Sequence, residues 1–82
     1  MKVYGIKCNN CGDIVYSRAR HDFRWCSCHS CAVDGGQDEG CASITGNKKN
    51  WEFANIEVDA TLKDLYNDWN SGTNKYGIKK GR

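Results

Sequence analysis

Apolar residues run in short stretches of roughly two-residue period as far as Val58, and only beyond Thr61 does the spacing become helical. Val3, Tyr4 and Ile6 form a β-prone segment that delivers Cys8 into a turn, and Gly12, directly after Cys11, suits the positive φ that closes it. Asp13 to Arg18 reads as a strand, Ala19 to Asp22 as a turn and Phe23 to Trp25 as a returning strand. The expected hairpin would set a second cysteine cluster, Cys26-Ser27-Cys28-His29-Ser30-Cys31, beside Cys8 and Cys11. A short strand at Ala32-Val33 follows, then a turn at Asp34-Gly35-Gly36, an acidic loop through Gly40, and a further strand over 41–45 stopped by Gly46-Asn47.

Trp51, Phe53, Ile56 and Val58 change parity between Phe53 and Ile56, and one strand with a bulge near Ala54-Asn55 would keep all four on one face. Leu62, Leu65, Tyr66 and Trp69 then fall on one helical face, expected to be core. Thr61 with Asp64 three residues on forms a capping-box pattern, with Asp59 the alternative cap, and Asn70-Ser71-Gly72 ends the helix. Thr73 to Arg82 is a basic tail with Tyr76 and Ile78 as its only apolar anchors. The pattern predicts a small α+β domain: zinc-ribbon-like β-hairpins, a short strand and one C-terminal α-helix. One domain spans 1–82, with a zinc-ribbon-like half 1–46, a strand and helix in 47–72, and a flexible tail 73–82.

Size and composition sharpen this picture. A chain of 82 residues buries a modest fraction of its surface, and folds of that size commonly rely on a metal, disulfides or a partner. Six cysteines supply the means. No apolar run at the start suits a signal peptide and no segment has the length of a membrane span, so the chain reads as cytosolic, where paired cysteines favour metal over disulfides. The net charge of +2 is too balanced to argue for a nucleic-acid binder by bulk charge. Residues 1–33 carry five basic and two acidic side chains and residues 34–46 three acidic ones, so a basic cysteine-rich half abuts an acidic loop of Asp34, Asp38 and Glu39. There is no proline, which leaves the turns to Gly, Asn, Asp and Ser.

Two cysteine turns each donating a pair of sulfurs supply the tetrahedral soft-ligand set that zinc prefers. Two assignments compete. Cys8, Cys11, Cys28 and Cys31 have the common double-knuckle spacing, whereas Cys8, Cys11, Cys26 and Cys28 use a tighter second turn and leave Cys31 as a buried residue opening a strand. Either set is closed to water, which makes the site structural, and metal binding then becomes folding free energy. Cys41, apart from both clusters, reads as a buried free thiol.

Other motifs are weaker. His21-Asp22 near Asp34 is better explained by backbone capping at a turn than by acid-base chemistry. The Gly35-Gly36 pair lacks the lysine and helix start of a phosphate loop, and Asp38 and Glu39 lack the spacing of a calcium loop. Arg18, Arg20 and Arg24, with Phe23 and Trp25, are the best nucleic-acid surface available, against the plainer reading of a solvated hairpin face.

The order Cys-x-x-Cys-Gly-Asp, Arg-His-Asp-Phe, Trp-Cys-Ser-Cys, Ala-Val-Asp-Gly-Gly across residues 6–36 resembles a group of small uncharacterised phage and prophage proteins with a zinc-ribbon-like start. The resemblance implies Cys8, Cys11, Cys26 and Cys28 as the ligands of one structural Zn2+, with Cys31 as substitute. It departs at His29, where the group usually has glycine. It further implies a protein of the bacterial cytoplasm that binds and blocks a host or defence machine, such as an anti-CRISPR occupying a Cas nuclease. A nucleic-acid-binding transcription or host-takeover factor is the alternative. No convincing nucleophile and base occur together, so an enzyme is not expected. The protein is expected to be a monomer or a small homo-oligomer with no membrane partner.

Overall fold

A computed structural model describes residues 1–37 and 43–80. It comprises β1 (Lys2–Cys8), β2 (Ile14–Val15), β3 (Arg24–Trp25), β4 (Cys31–Asp34), β5 (Ser43–Gly46), β6 (Trp51–Glu57), α1 (Leu62–Ser71) and β7 (Ile78–Lys79), with a single 3-10 turn at Lys48–Asn50. Two antiparallel sheets result, one ordered β6-β1-β2-β7 and the other β3-β4-β5.

β1 and β6 run side by side in one uninterrupted register, from Lys2 opposite Glu57 to Cys8 opposite Trp51. The expected bulge at Ala54-Asn55 is therefore absent. The parity change has another cause: this ribbon is buried on opposite faces at its two ends. Ile6 and Cys8 face the three-stranded sheet, in a core with Val15, Cys26, Cys31 and Val33, against which Trp51 and Ile78 pack. Val3 faces the other way, in a core with Tyr16 and Leu65 flanked by Ile56 and Val58. An antiparallel ribbon that packs on both faces must switch its apolar parity where one core gives way to the other.

The hairpin expected from 13–18 and 23–25 does not form. β2 pairs with β1 and β7, and β3 pairs with β4. The reason is Arg18. Its side chain is buried, with Nε 2.8 Å from Asp22 Oδ2 and Nη1 2.7 Å from Asp68 Oδ2. Its backbone N–H also donates to Asp22, while the single Ser17 hydroxyl proton is shared between the carbonyls of Ala19 and Asp22, both within 2.8 Å of Oγ. The chain from Ser17 to Asp22 thus winds around a guanidinium, where a strand would have to run straight. Gly5 allows the close crossing at β2, since a Cβ there would strike the Val15 carbonyl.

The helix begins as its capping box requires, with Thr61 Oγ1 accepting from the Asp64 N–H and Asp64 accepting from the Thr61 N–H. Gly72 closes it in the left-handed region at φ 74°. Its apolar stripe is only partly core. Leu65 is buried and Trp69 half-buried, but Leu62 and Tyr66 are exposed. The other buried helical residue is Asp68, drawn in by Arg18 and by the N–H groups of Lys75 and Tyr76. Those bonds turn the basic C-terminal segment back onto the sheet. Tyr76 joins one core, Ile78 the other, and β7 pairs with β2.

Removing one partner of this buried ion network strands the other charges. Asp68→Ala is expected to lose about 3–5 kcal/mol in denaturant unfolding, while the exposed Arg20→Ala changes stability by less than ~0.5 kcal/mol. Burial opposes ionisation of Asp68, yet the hydrogen bonds from Tyr76, Arg18 and Lys75 outweigh it and hold the carboxyl below its ordinary value. A carboxylate depressed in the folded state stabilises above its unfolded pKa and stops doing so as pH falls through the folded one. Acid unfolding curves should therefore show a component below the usual carboxylate range that is missing in Asp68→Asn.

Candidate metal centre

Each cysteine pair sits in a turn closed by its own backbone. At the end of β1 the Cys8 carbonyl accepts from the Gly12 N–H at 2.8 Å and the Cys8 N–H donates to the Asp13 carbonyl at 2.8 Å. Gly12 has φ 80°, the conformation its position after Cys11 predicted. In the second turn the His29 N–H donates to the Cys26 carbonyl and the Cys26 N–H to the Cys31 carbonyl, both at 3.0 Å. His29 itself lies at φ 59°, uncommon for a residue with a Cβ. The two turns are clamped together by Asp13, whose Oδ2 accepts from the Ser27 N–H at 2.9 Å.

The sulfurs of Cys8, Cys11, Cys26 and Cys28 all lie within 4.8 Å of one another, so this group can hold a metal ion. Cys28 Sγ stands 3.5 Å from both Cys8 Sγ and Cys26 Sγ. A tetrahedron with metal–sulfur bonds near 2.3 Å has edges of about 3.8 Å, so the sulfurs need little movement to close on an ion. Cys31 is outside the group. Its Sγ is 3.7 Å from Cys26 Sγ, but it is buried in β4 among Ile6, Val15 and Val33.

The thiols are electrostatically unequal. Hydrogen bonds with Ser30 and Asn10 bring the exposed Cys28 down to about 5. Burial pushes Cys11 up to about 11 and drives Cys31 higher still. For Cys26 burial is the largest influence, but hydrogen bonds from the Cys31 and Ser30 backbone help turn the net shift downward. An ion held by these four sulfurs would take them as thiolates, so its binding would release protons from the thiols whose ionisation burial opposes.

The remaining sequence candidates do not converge. Arg18 is buried in its ion network, so it is unavailable to a nucleic acid; Arg20 is exposed; and Arg24 is half-buried, with Nη2 3.4 Å from the Tyr76 carbonyl. Asp34 ends β4, with a buried Oδ1 that has no hydrogen-bond partner among the described residues. Asp38, Glu39 and Cys41 lie outside the described residues. His29 lies over Trp25 with ring centroids 5.8 Å apart, and Trp25 in turn lies 5.6 Å from Phe23. That row of exposed rings beside the second turn was legible as separate aromatics, but not as a row. Nothing in the local sequence signalled the Asp13 clamp, which spans 14 residues.

A family described as Domain of unknown function (DUF7695) matches residues 1–39, a stretch that contains all four clustered cysteines and Cys31. No curated protein and no solved structure matches the chain. No helix among the described residues is long and apolar enough to cross a membrane.

If Cys31 is a core residue and Cys11 a ligand, their serine variants separate. Titration with cobalt(II), followed by thiolate-to-metal absorption, should give about one ion per chain for Cys31→Ser and a lost or strongly altered spectrum for Cys11→Ser.

Proposed function

We propose that Cys8, Cys11, Cys26 and Cys28 hold one structural Zn2+ in a zinc-ribbon-like arrangement and that the protein works by binding another protein, not by catalysis. The observation that carries this reading is the closed four-sulfur group. Zinc suits four soft ligands, and a complete thiolate shell leaves no position at which water or substrate is activated. What the ion holds in place is a surface. The second cysteine turn carries Trp25 and His29, and with Phe23 they form an exposed aromatic row on a rigid frame, the composition that protein interfaces favour. Burial of Arg18 takes away one of the three arginines that a nucleic-acid grip would use, which weighs toward a protein partner.

The resemblance of residues 6–36 to phage and prophage proteins gives the proposal its specific form: a stoichiometric inhibitor of a bacterial defence or host machine, acting in the host cytoplasm, with a Cas nuclease as one such target. Inhibition by blocking needs no turnover, only a surface that stays in shape.

Protein purified without chelator should contain about one zinc per chain. Phe23→Ala/Trp25→Ala should retain that zinc and its fold but lose co-purification with, and inhibition of, the bacterial target. Tight binding of the isolated protein to DNA or RNA, weakening steeply with salt, would instead assign it to nucleic-acid recognition.

A further inference from the structure

β6 is an outer strand of the four-stranded sheet. Which of its peptide groups point outward follows from β1. Tyr4, opposite Asn55, turns its backbone away from β6: its N–H donates to Gln37 Oε1 at 2.7 Å and its carbonyl accepts from Gln37 Nε2 at 3.1 Å. By the alternation of an antiparallel ladder, Glu52, Ala54 and Ile56 then bond to β1, and the peptide groups of Trp51, Phe53, Asn55 and Glu57 face outward. Among the described residues no backbone group pairs with that edge.

Several of the usual protections of an edge are missing from it, and its only charged positions are Glu52 and Glu57. There is no proline, no bulge and no lysine within the strand, and Phe53, at 75% exposure, is the most exposed of the large apolar side chains. Its ring packs edge-on against Trp51 at 5.1 Å, and Tyr4 is exposed on the same face of the sheet. The charges at the two ends of the strand identify an occupant. Lys48 and Lys49 precede β6, Glu57 ends it while pairing with the Met1 amino group at 3.2 Å, and Asp59 follows. A strand that starts basic and finishes acidic is complementary to itself when the two copies run antiparallel.

We infer that β6 pairs with β6 of a second copy of this chain, across a two-fold axis near Ala54, joining the two four-stranded sheets edge to edge. In that register every outward-facing residue meets another: Phe53 opposes Asn55 and Trp51 opposes Glu57 of the second copy, so each pair exchanges two backbone hydrogen bonds. Glu52 falls opposite Ile56, so no like charges confront each other. The lysines at each start abut the acidic end of the other copy, and the two Phe53 rings lie diagonally across the seam, within reach of contact. The interface is isologous and closed, so association stops at two.

Sedimentation of the full metal-loaded chain over a concentration series tests this. The native protein should pass from monomer to dimer. Asn55→Pro removes an outward-facing N–H without touching the β1 ladder, and Phe53→Lys places a charge on the seam; each should weaken association by about tenfold or more. Leu62→Lys, on the helix, should leave it unchanged. Amide exchange should slow at Phe53 and Asn55 as the dimer forms. Metal content and the circular dichroism spectrum establish that each variant is folded, and Phe53→Lys decides if the proline variant is not. A chain that stays monomeric at its highest soluble concentration overturns the inference. So does a dimer indifferent to Phe53→Lys, or one abolished by Leu62→Lys.

Discussion

A guanidinium taken out of water must find acceptors for its N–H groups, and much of this structure is arranged to provide them for Arg18. Asp22 bends the segment after β2, Asp68 draws in the middle of the helix, and Asn74 accepts from Nη1 at 3.1 Å beyond the helix end. Asp68 then binds the N–H groups that aim β7 at β2. A turn, the helix and the closing strand are thus positioned by one side chain. An ion network of this kind adds little net stability over a well-packed apolar cluster, but leaving any member unpaired is costly, so it selects one arrangement of the chain.

What the sequence made legible was local. The two cysteine turns, the helix with its capping box and αL stop, and the short strand at Ala32-Val33 are each decided within a few residues, and each is present. The pairing of strands was not legible in the same way. Asp13 to Trp25 carries good hairpin propensity, and only a partner 50 residues away, Asp68, explains why Arg18 turns inward and breaks it. The parity change in β6 is visible in the sequence but its cause is not, because one strand serving two cores looks the same in sequence as one strand with a bulge. The helical stripe was overestimated for a related reason: periodicity marks which face is apolar, not how wide a surface is available to cover it, and Tyr66 and Leu62 extend past the core.

At the cysteine cluster, chemistry and topology meet. Cys8 belongs to the end of the four-stranded sheet, and Cys26 and Cys28 to the turn between β3 and β4 of the other. The group that can hold a metal is therefore also the place where the sheets are joined, with Asp13 as a second fastening. An ion held there would tie the two sheets together, and the aromatic row on the second turn is the exposed surface beside it.

The shared ribbon of β1 and β6 has a thermodynamic consequence. Each of its faces supports a core too small to stand alone: one with the cysteines, the other with Val3, Tyr16 and Leu65. Loss of either core would uncover one face of the ribbon that walls the other. The cysteine end and the helical end share this ribbon, so a change at the sulfur cluster is expected to alter the stability of the helix as well.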